Sequence, residues 1–232
     1  MSNKWPKHLP GLTLEQRRVK DDFMKYWHEV LPRKYGAIEW FNHGFPVRHA
    51  KKGGRVLEIG AGLGEHIEHE DVEKVDEYWA LELRQEMADV IKKRFPYVKT
   101  IVGDCEKHLD FPDNYFDRVL AIHVLEHLPN LPAALKEVYR VLKPEGQFQV
   151  VIPCEGGFAY SLARLVSAQR IFERRYKMTY DWCIRSEHIN VPSEIFEELE
   201  PLFKVTEKMF FPLFAPFVFC NLVIGLELKP IK

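Results

Sequence analysis

Three glycines, Gly60, Gly62 and Gly64, close the run RVLEIGAGLGEH from Arg55 to His66, and an acid, Glu58, sits inside it. Glycines at that spacing remove side chains where the chain turns tightly and let a ligand approach the backbone. Val56, Leu57 and Ile59 supply the near-continuous apolar pattern of a parallel strand covered on both faces. A helix is expected directly after the turn, and amides at its start would favour a carboxylate or phosphate. The spacing is not the G-x-G-x-x-G of dinucleotide sites, and Glu58 would repel a pyrophosphate while suiting a cationic amino group. A second apolar run, Tyr78 to Leu81, ends in Glu82, an acid able to hold both hydroxyls of a ribose. Together these residues describe a cradle for a nucleoside joined to an amino acid.

The chain then resembles the class I S-adenosylmethionine-dependent methyltransferases, of the small-molecule, type 11-like kind. The resemblance covers about Gly53 to Pro153 and rests on VLEIGAGLG, then ALEL, then IVGDCEKHLDFPDNYFDRVLAIHVLEHL, then ALKEVYRVLKPEGQFQVVIP, in that order with helix-sized gaps. It implies that Gly60, Gly62 and Gly64 line the methionine end of the cofactor, that Glu58 supports its amino group, and that Glu82 grips the ribose, with Ala61 and Leu83 as further cofactor-binding positions. Asp104 and Cys105, after an expected strand Thr100 to Gly103, match positions flanking adenine. His123, closing the strand Arg118 to Ile122, is expected near the sulfonium. S-adenosyl-L-methionine is the implied cofactor and S-adenosyl-L-homocysteine its product.

The implied fold is α/β: a Rossmann-like, doubly wound, mostly parallel seven-stranded sheet with an N-terminal helical arm and a helical lid insertion. Strands alternating with helices in the sequence point the same way. The arm spans residues 1–52, with helices expected over Leu14 to Leu31, stopped or kinked by Pro32, and over Tyr35 to Phe45; it either covers the site or buttresses the sheet. Val19, Phe23, Tyr26, Trp27 and Val30 form the apolar stripe of the first. The cofactor core takes residues 53–153, with helices at Arg84 to Phe95 and Leu131 to Leu142. Pro144-Glu145-Gly146 is read as a turn into a strand Gln147 to Ile152. A lid insertion (154–191) and a closing helix, Ser193 to Leu199, with a strand pair (192–232; Lys204 to Phe211 and Phe217 to Leu228) complete one domain.

Composition narrows the function. The 232 residues, 46% hydrophobic with a net charge of −1, suit one core and offer no general attraction to nucleic acid or anionic membrane. The seven acids of Glu65 to Glu77 against Lys74 argue further against RNA. No signal segment or apolar run of about 18 residues is seen, and the scattered Cys105, Cys154, Cys183 and Cys220 read as reduced thiols, so a cytoplasmic protein is expected. Within the insertion Phe158, Leu162, Leu165, Val166, Ile171 and Phe172 form an approximate helical stripe. Six basic residues between Phe158 and Arg185, namely Arg164, Arg170, Arg174, Arg175, Lys177 and Arg185, face only Glu173 and Asp181. With Tyr176, Tyr180 and Trp182 they suit an anionic or sugar-like acceptor; membrane-surface contact is a less favoured use of the same stripe. Met209 to Val223 reads as strand core ahead of a wall for a lipid-like acceptor.

His188, in SEHIN, is the leading candidate for a general base, by its type and by an Glu-His element that related methylases place near the acceptor. His123 and His127 are candidates for positioning. His123-Val124-Leu125-Glu126-His127 also spells the H-x-x-E-H zinc signature, but that motif needs a long helix, whereas this stretch follows a strand and meets Pro129. No metal is expected from it, nor from the His66 and His69 pair. The leading expectation is O-methylation of a sugar-like or anionic small molecule. The alternatives are N- or C-methylation of a lipid- or quinone-like precursor, and a regulatory protein that binds the cofactor without turnover.

Overall fold

A computed structural model describes residues 4–48, 50 and 52–232, with backbone alone for 28–34. Seven strands form one sheet in the order β3-β2-β1-β4-β5-β7-β6. They are β1 (Arg55–Ile59), β2 (Glu77–Glu82), β3 (Lys99–Val102), β4 (Phe116–Ile122), β5 (Leu142–Pro153), β6 (Phe203–Phe211) and β7 (Val223–Pro230). The first five pair in parallel, and β7 runs antiparallel to both β5 and β6. This is the mostly parallel, doubly wound α/β sheet expected from the sequence.

Helices α1 (Leu14–Lys34) and α2 (Gly36–Arg48) form the arm; α3 (Gln85–Arg94) and α4 (Leu131–Val141) cross between core strands. Short helices α5 (Phe158–Arg164), α6 (Arg170–Tyr176) and α7 (Asp181–Glu187) make the insertion, and α8 (Pro192–Leu199) precedes the hairpin β6–β7. Leu57, Val119, Phe148 and Ile152 of the sheet meet Leu135 and Val138 of α4 in the main core. There the near-continuous apolar strands meet the apolar stripe of a helix, as two-sided burial requires.

Several expectations shift. No α-helix follows the glycine turn; the chain takes 3-10 turns at Ile67–His69 and Val72–Lys74 before entering β2. The helical start expected to favour an anion is therefore absent there. Pro144-Glu145-Gly146 does not precede the strand but sits inside β5: Phe116 pairs with Leu142 and Arg118 with Gln147, so the extra residues bulge out of the ladder. The last strand begins only at Val223, because Val218–Cys220 forms a 3-10 turn. Helix α1 continues through Pro32 to Lys34, and the expected role of Val30's side chain lies outside the described residues.

The arm divides its labour. Phe41 and Phe45 of α2 pack on Val151 and Val223, buttressing the sheet. Phe23 of α1 packs instead on Phe172, Tyr180 and Cys183 of the insertion. A π-turn at Leu165–Gln169 rotates the insertion's chain between α5 and α6. The expected stripe is thereby split: Phe172 is buried, whereas Phe158, Leu162, Leu165 and Val166 face outward.

Candidate active site

The sequence-selected residues meet beyond the carboxyl ends of β1 to β4, where open α/β sheets bind ligands. Gly60 and Gly62 adopt left-handed backbone with φ of +66° and +59°. A Cβ at Gly60 would stand 2.6 Å from Val124 Cγ2, so both the turn and the close approach of the β4 loop exclude a side chain. The Gly62 N–H donates to Glu82 Oε2 at 3.0 Å, and the Arg84 N–H donates to Glu82 Oε1 at 3.1 Å. Glu82 thus ties the tip of β2 to the glycine turn, and each of its oxygens keeps a further lone pair. Leu83 beside it is 66% exposed, an apolar side chain at the rim of the strand ends.

Asp104 follows β3 and accepts the Glu106 N–H at 2.9 Å, which fixes the turn carrying both Asp104 and Cys105. Cys105 is buried, and burial pushes its thiol up to about 12, so it serves as an apolar surface and not as a nucleophile. Ala61 is buried in the floor of the turn.

Glu58 lies beneath this rim. It is buried and accepts the Tyr78 hydroxyl at 2.8 Å. Burial raises its carboxyl to about 8, only partly opposed by that bond, so it is largely a neutral acid near pH 7. Around it run Arg118, paired with Glu70 at 2.7 Å, and His66, 3.0 Å from Glu70 and 3.4 Å from His43 of α2. Burial holds His66 down at about 4. Its partners in the sheet and the arm explain His66, which the sequence alone paired with His69.

A second group of side chains gathers at the end of β4. His123 takes φ of +53°, a left-handed conformation uncommon for a residue with a Cβ, and its N–H donates to Val151 O at 2.8 Å. Its Nδ1 lies 3.1 Å from Glu126 Oε1. Glu126 is fully buried; burial opposes its ionisation, but His123, His127 and His188 outweigh that and hold its carboxyl down at about 2. His127 places Nδ1 2.7 Å from Glu187 O, and burial pushes its imidazole below the usual histidine range. His188 places Nδ1 2.8 Å from Glu155 Oε2, and Glu155 pairs in turn with Arg164. The His127 and His188 rings meet edge to face, 5.0 Å apart.

Glu155, at the carboxyl end of β5, and Asn190 escaped the sequence reading. The Asn190 side chain donates to Leu125 O at 2.7 Å and Leu128 O at 2.8 Å, while Ile189 and Asn190 N–H groups reach Glu126 O at 2.9 and 3.0 Å. These bonds bring His188 against Glu126. An acid following a strand end was the available signal for Glu155; Asn190 had none. The insertion's arginines are distributed differently from the expected anion grip. Arg164 is held by Glu155, and Arg175 by Asp22 of α1 at 3.1 Å. Arg170, Arg174 and Lys177 border a groove on the outer surface with Leu165 and Val166.

Residues 57–150 match the family model of a methyltransferase domain. A ubiquinone/menaquinone biosynthesis C-methyltransferase, UbiE, of Neisseria meningitidis serogroup A is 29% identical over 172 residues, covering 69% of this chain and 70% of that protein. Residues 57–150 are thus a methyltransferase domain. The fold of the chain agrees with that of the PH0226 protein of Pyrococcus horikoshii, at a TM-score of 0.65 and 20% identity, covering 89% of this chain and 98% of that one. A TehB-like SAM-dependent methyltransferase of Corynebacterium glutamicum matches at a TM-score of 0.63 and 15% identity, covering 92% and 99%. No helix among the described residues is long and apolar enough to cross a membrane.

Proposed function

We propose that this methyltransferase methylates a hydroxylated aromatic ring carrying apolar substituents, a quinone-like precursor, at a ring carbon. The observation that carries this is the apolar rim of the insertion and hairpin: Phe158 stacks on Phe219 at 5.4 Å between centroids, flanked by exposed Leu162 and Phe217. Such a surface gains by covering an apolar ligand. The named activity of the Neisseria relative supports the same acceptor class. The expected sugar-like or anionic acceptor for O-methylation finds less support, since Arg164 and Arg175 are engaged by protein carboxylates.

The residues at the strand ends fit S-adenosylmethionine: a tight left-handed glycine turn at Gly60 and Gly62, an acid with spare lone pairs at Glu82, and an exposed apolar side chain at Leu83. Gly60, Ala61, Gly62 and Gly64 would border its methionine part, Glu82 its ribose, and Leu83, Asp104 and Cys105 its adenine. Glu58, neutral when alone, would favour its charged form beside an amino cation. Bound there, the cofactor supplies an electrophilic methyl group. The protein's share is to hold the acceptor carbon in line, exclude water, and favour loss of the acceptor's hydroxyl proton, which raises electron density on the ring. His188, oriented by Glu155, and His123, at the end of β4, serve that last step.

Calorimetry is expected to show micromolar binding of S-adenosylmethionine and S-adenosylhomocysteine, and none of NAD. Methyl transfer to a panel of hydroxylated naphthalenes and benzenes, with and without alkyl chains, should exceed transfer to sugars, with the new methyl on carbon by mass spectrometry and NMR. Tight NAD binding without either sulfur ligand would remove the cofactor assignment; transfer confined to sugars would remove the acceptor assignment.

A further inference from the structure

We propose that Glu126, His127 and His188 bind a divalent transition-metal ion, zinc-like in its ligand preference, beside the acceptor space. One donor atom from each of the three lies within 4.8 Å of the others. Zinc–nitrogen and zinc–oxygen bonds of roughly 2.0 to 2.2 Å would require the set to draw somewhat closer around the ion.

An independent feature points to a ligand. Glu126 is fully buried, yet its Oε2 has no hydrogen-bond partner. A buried carboxylate oxygen left unpaired is costly, and a cation is the group best able to satisfy it. Its other oxygen, Oε1, faces His123 Nδ1 at 3.1 Å and His127 Nε2 at 3.9 Å.

Both imidazoles are held in the form a metal requires. The Glu187 carbonyl only accepts, so at 2.7 Å it places the His127 proton on Nδ1 and leaves Nε2 as a lone pair toward Glu126. Glu155 Oε2, 2.8 Å from His188 Nδ1, fixes the second ring in the same way. Carbonyl or carboxylate partners behind the ring are the supports that orient metal-bound histidines. The two N–H groups of Ile189 and Asn190 on Glu126 O, with the Asn190 side chain on Leu125 O and Leu128 O, lock the ligand-bearing loop to the 3-10 turn Leu125–His127.

This is not the H-x-x-E-H arrangement of a metalloprotease. His123 and His127 do not stand one turn apart on a long helix, and the third ligand comes from the end of the insertion. Two imidazoles and one carboxylate suit zinc and similar ions better than calcium or magnesium, and three protein ligands leave a coordination position open. Under the methyltransferase reading, on which this role rests, an acceptor hydroxyl at that position would release its proton to solvent more readily. His188 then acts on the acceptor through the ion and not as a free base.

The test uses the full chain, stripped with a chelator and titrated with zinc by calorimetry, with bound metal counted by mass spectrometry. One zinc per chain is expected in the parent protein. His188→Ala and His127→Ala should each weaken it at least about a hundredfold, since even outer partners of a metal histidine are worth about tenfold to a hundredfold. Cobalt(II) should give the visible absorption of a four- or five-coordinate site in the parent and lose it in both variants. S-adenosylhomocysteine binding is measured in parallel and should be unchanged, which shows that each variant is folded. No stoichiometric zinc in the parent, or zinc retained in both variants, overturns the proposal. Zinc bound as expected by a parent protein that binds no S-adenosylhomocysteine would leave the ion site standing and remove the methyltransferase role built on it.

Discussion

The proposed cofactor side and the proposed acceptor side of this methyltransferase are built by different means. On the proposed cofactor side, short contiguous stretches at adjacent strand ends bring Gly60 to Gly64 and Glu82 together, and backbone amides fix the acid: Glu82 is clasped by two N–H groups. On the acceptor side Glu126, His127, Glu155 and His188 come from three separate loops and meet through side chains held by Asn190 and Arg164. The first region is local geometry that one parallel sheet guarantees. The second depends on how an insertion and its loops dock, so it is where relatives sharing the core can differ in acceptor.

Substitutions on the two sides should therefore separate cleanly. The largest effect is expected from His188→Ala, which should lower turnover about a hundredfold or more while leaving S-adenosylhomocysteine affinity unchanged in calorimetry. Equal losses in both would mean that the two sides are one cooperative unit. Glu82→Ala should do the reverse, weakening cofactor binding by about 1.5 to 3 kcal/mol, roughly tenfold to 150-fold, because a partly desolvated charged acceptor is lost. Wild-type affinity in that variant would move the ribose site elsewhere.

Glu58 sharpens the comparison through pH. The unfolded chain gives up this proton near the ordinary glutamate value of 4.5, whereas the folded protein holds it to about 8. Between those values the folded state binds more protons, so Glu58 lowers stability progressively as pH rises from about 4.5 to about 8, and the loss stays complete above that window. Glu58→Gln keeps an acceptor for the Tyr78 hydroxyl and cannot ionise. Its melting temperature should fall less than the parent's across that window; parallel curves would mean that Glu58 is ionised throughout. The smallest effect is expected from Arg175→Ala, whose guanidinium sits on Asp22 and Tyr176 at the surface. The acceptor's KM should change less than about twofold in that variant, and a large rise would restore the anionic acceptor that the sequence suggested.

The order of recognition in the chain follows the same division. The apolar run before Gly60, the acid ending β2 and the acid after β3 were legible because each is a local pattern with a local physical cause: two-sided burial, a tight turn, a strand end. Helix α4 and the strands of the core were legible for the same reason. The missing α-helix after the glycine turn was not, because Glu70 there is held by Arg118 of β4 and by His66, contacts that the local pattern does not record. Nor was the split of the insertion's stripe, which a π-turn decides.

By itself, then, the sequence determined the parallel sheet, the glycine turn with the acid at the end of β2, and the class of reaction, since residues close in the chain suffice to specify a turn, a strand and the acid at its end. Tertiary structure decided the rest. Only the folded chain shows that Glu58 is a buried neutral acid, that Arg164 and Arg175 are engaged at home, and that His188 meets Glu126 and His127 across some sixty residues of sequence. Burial and ionic pairing depend on every neighbour in space, and a pattern read along one dimension carries no record of them.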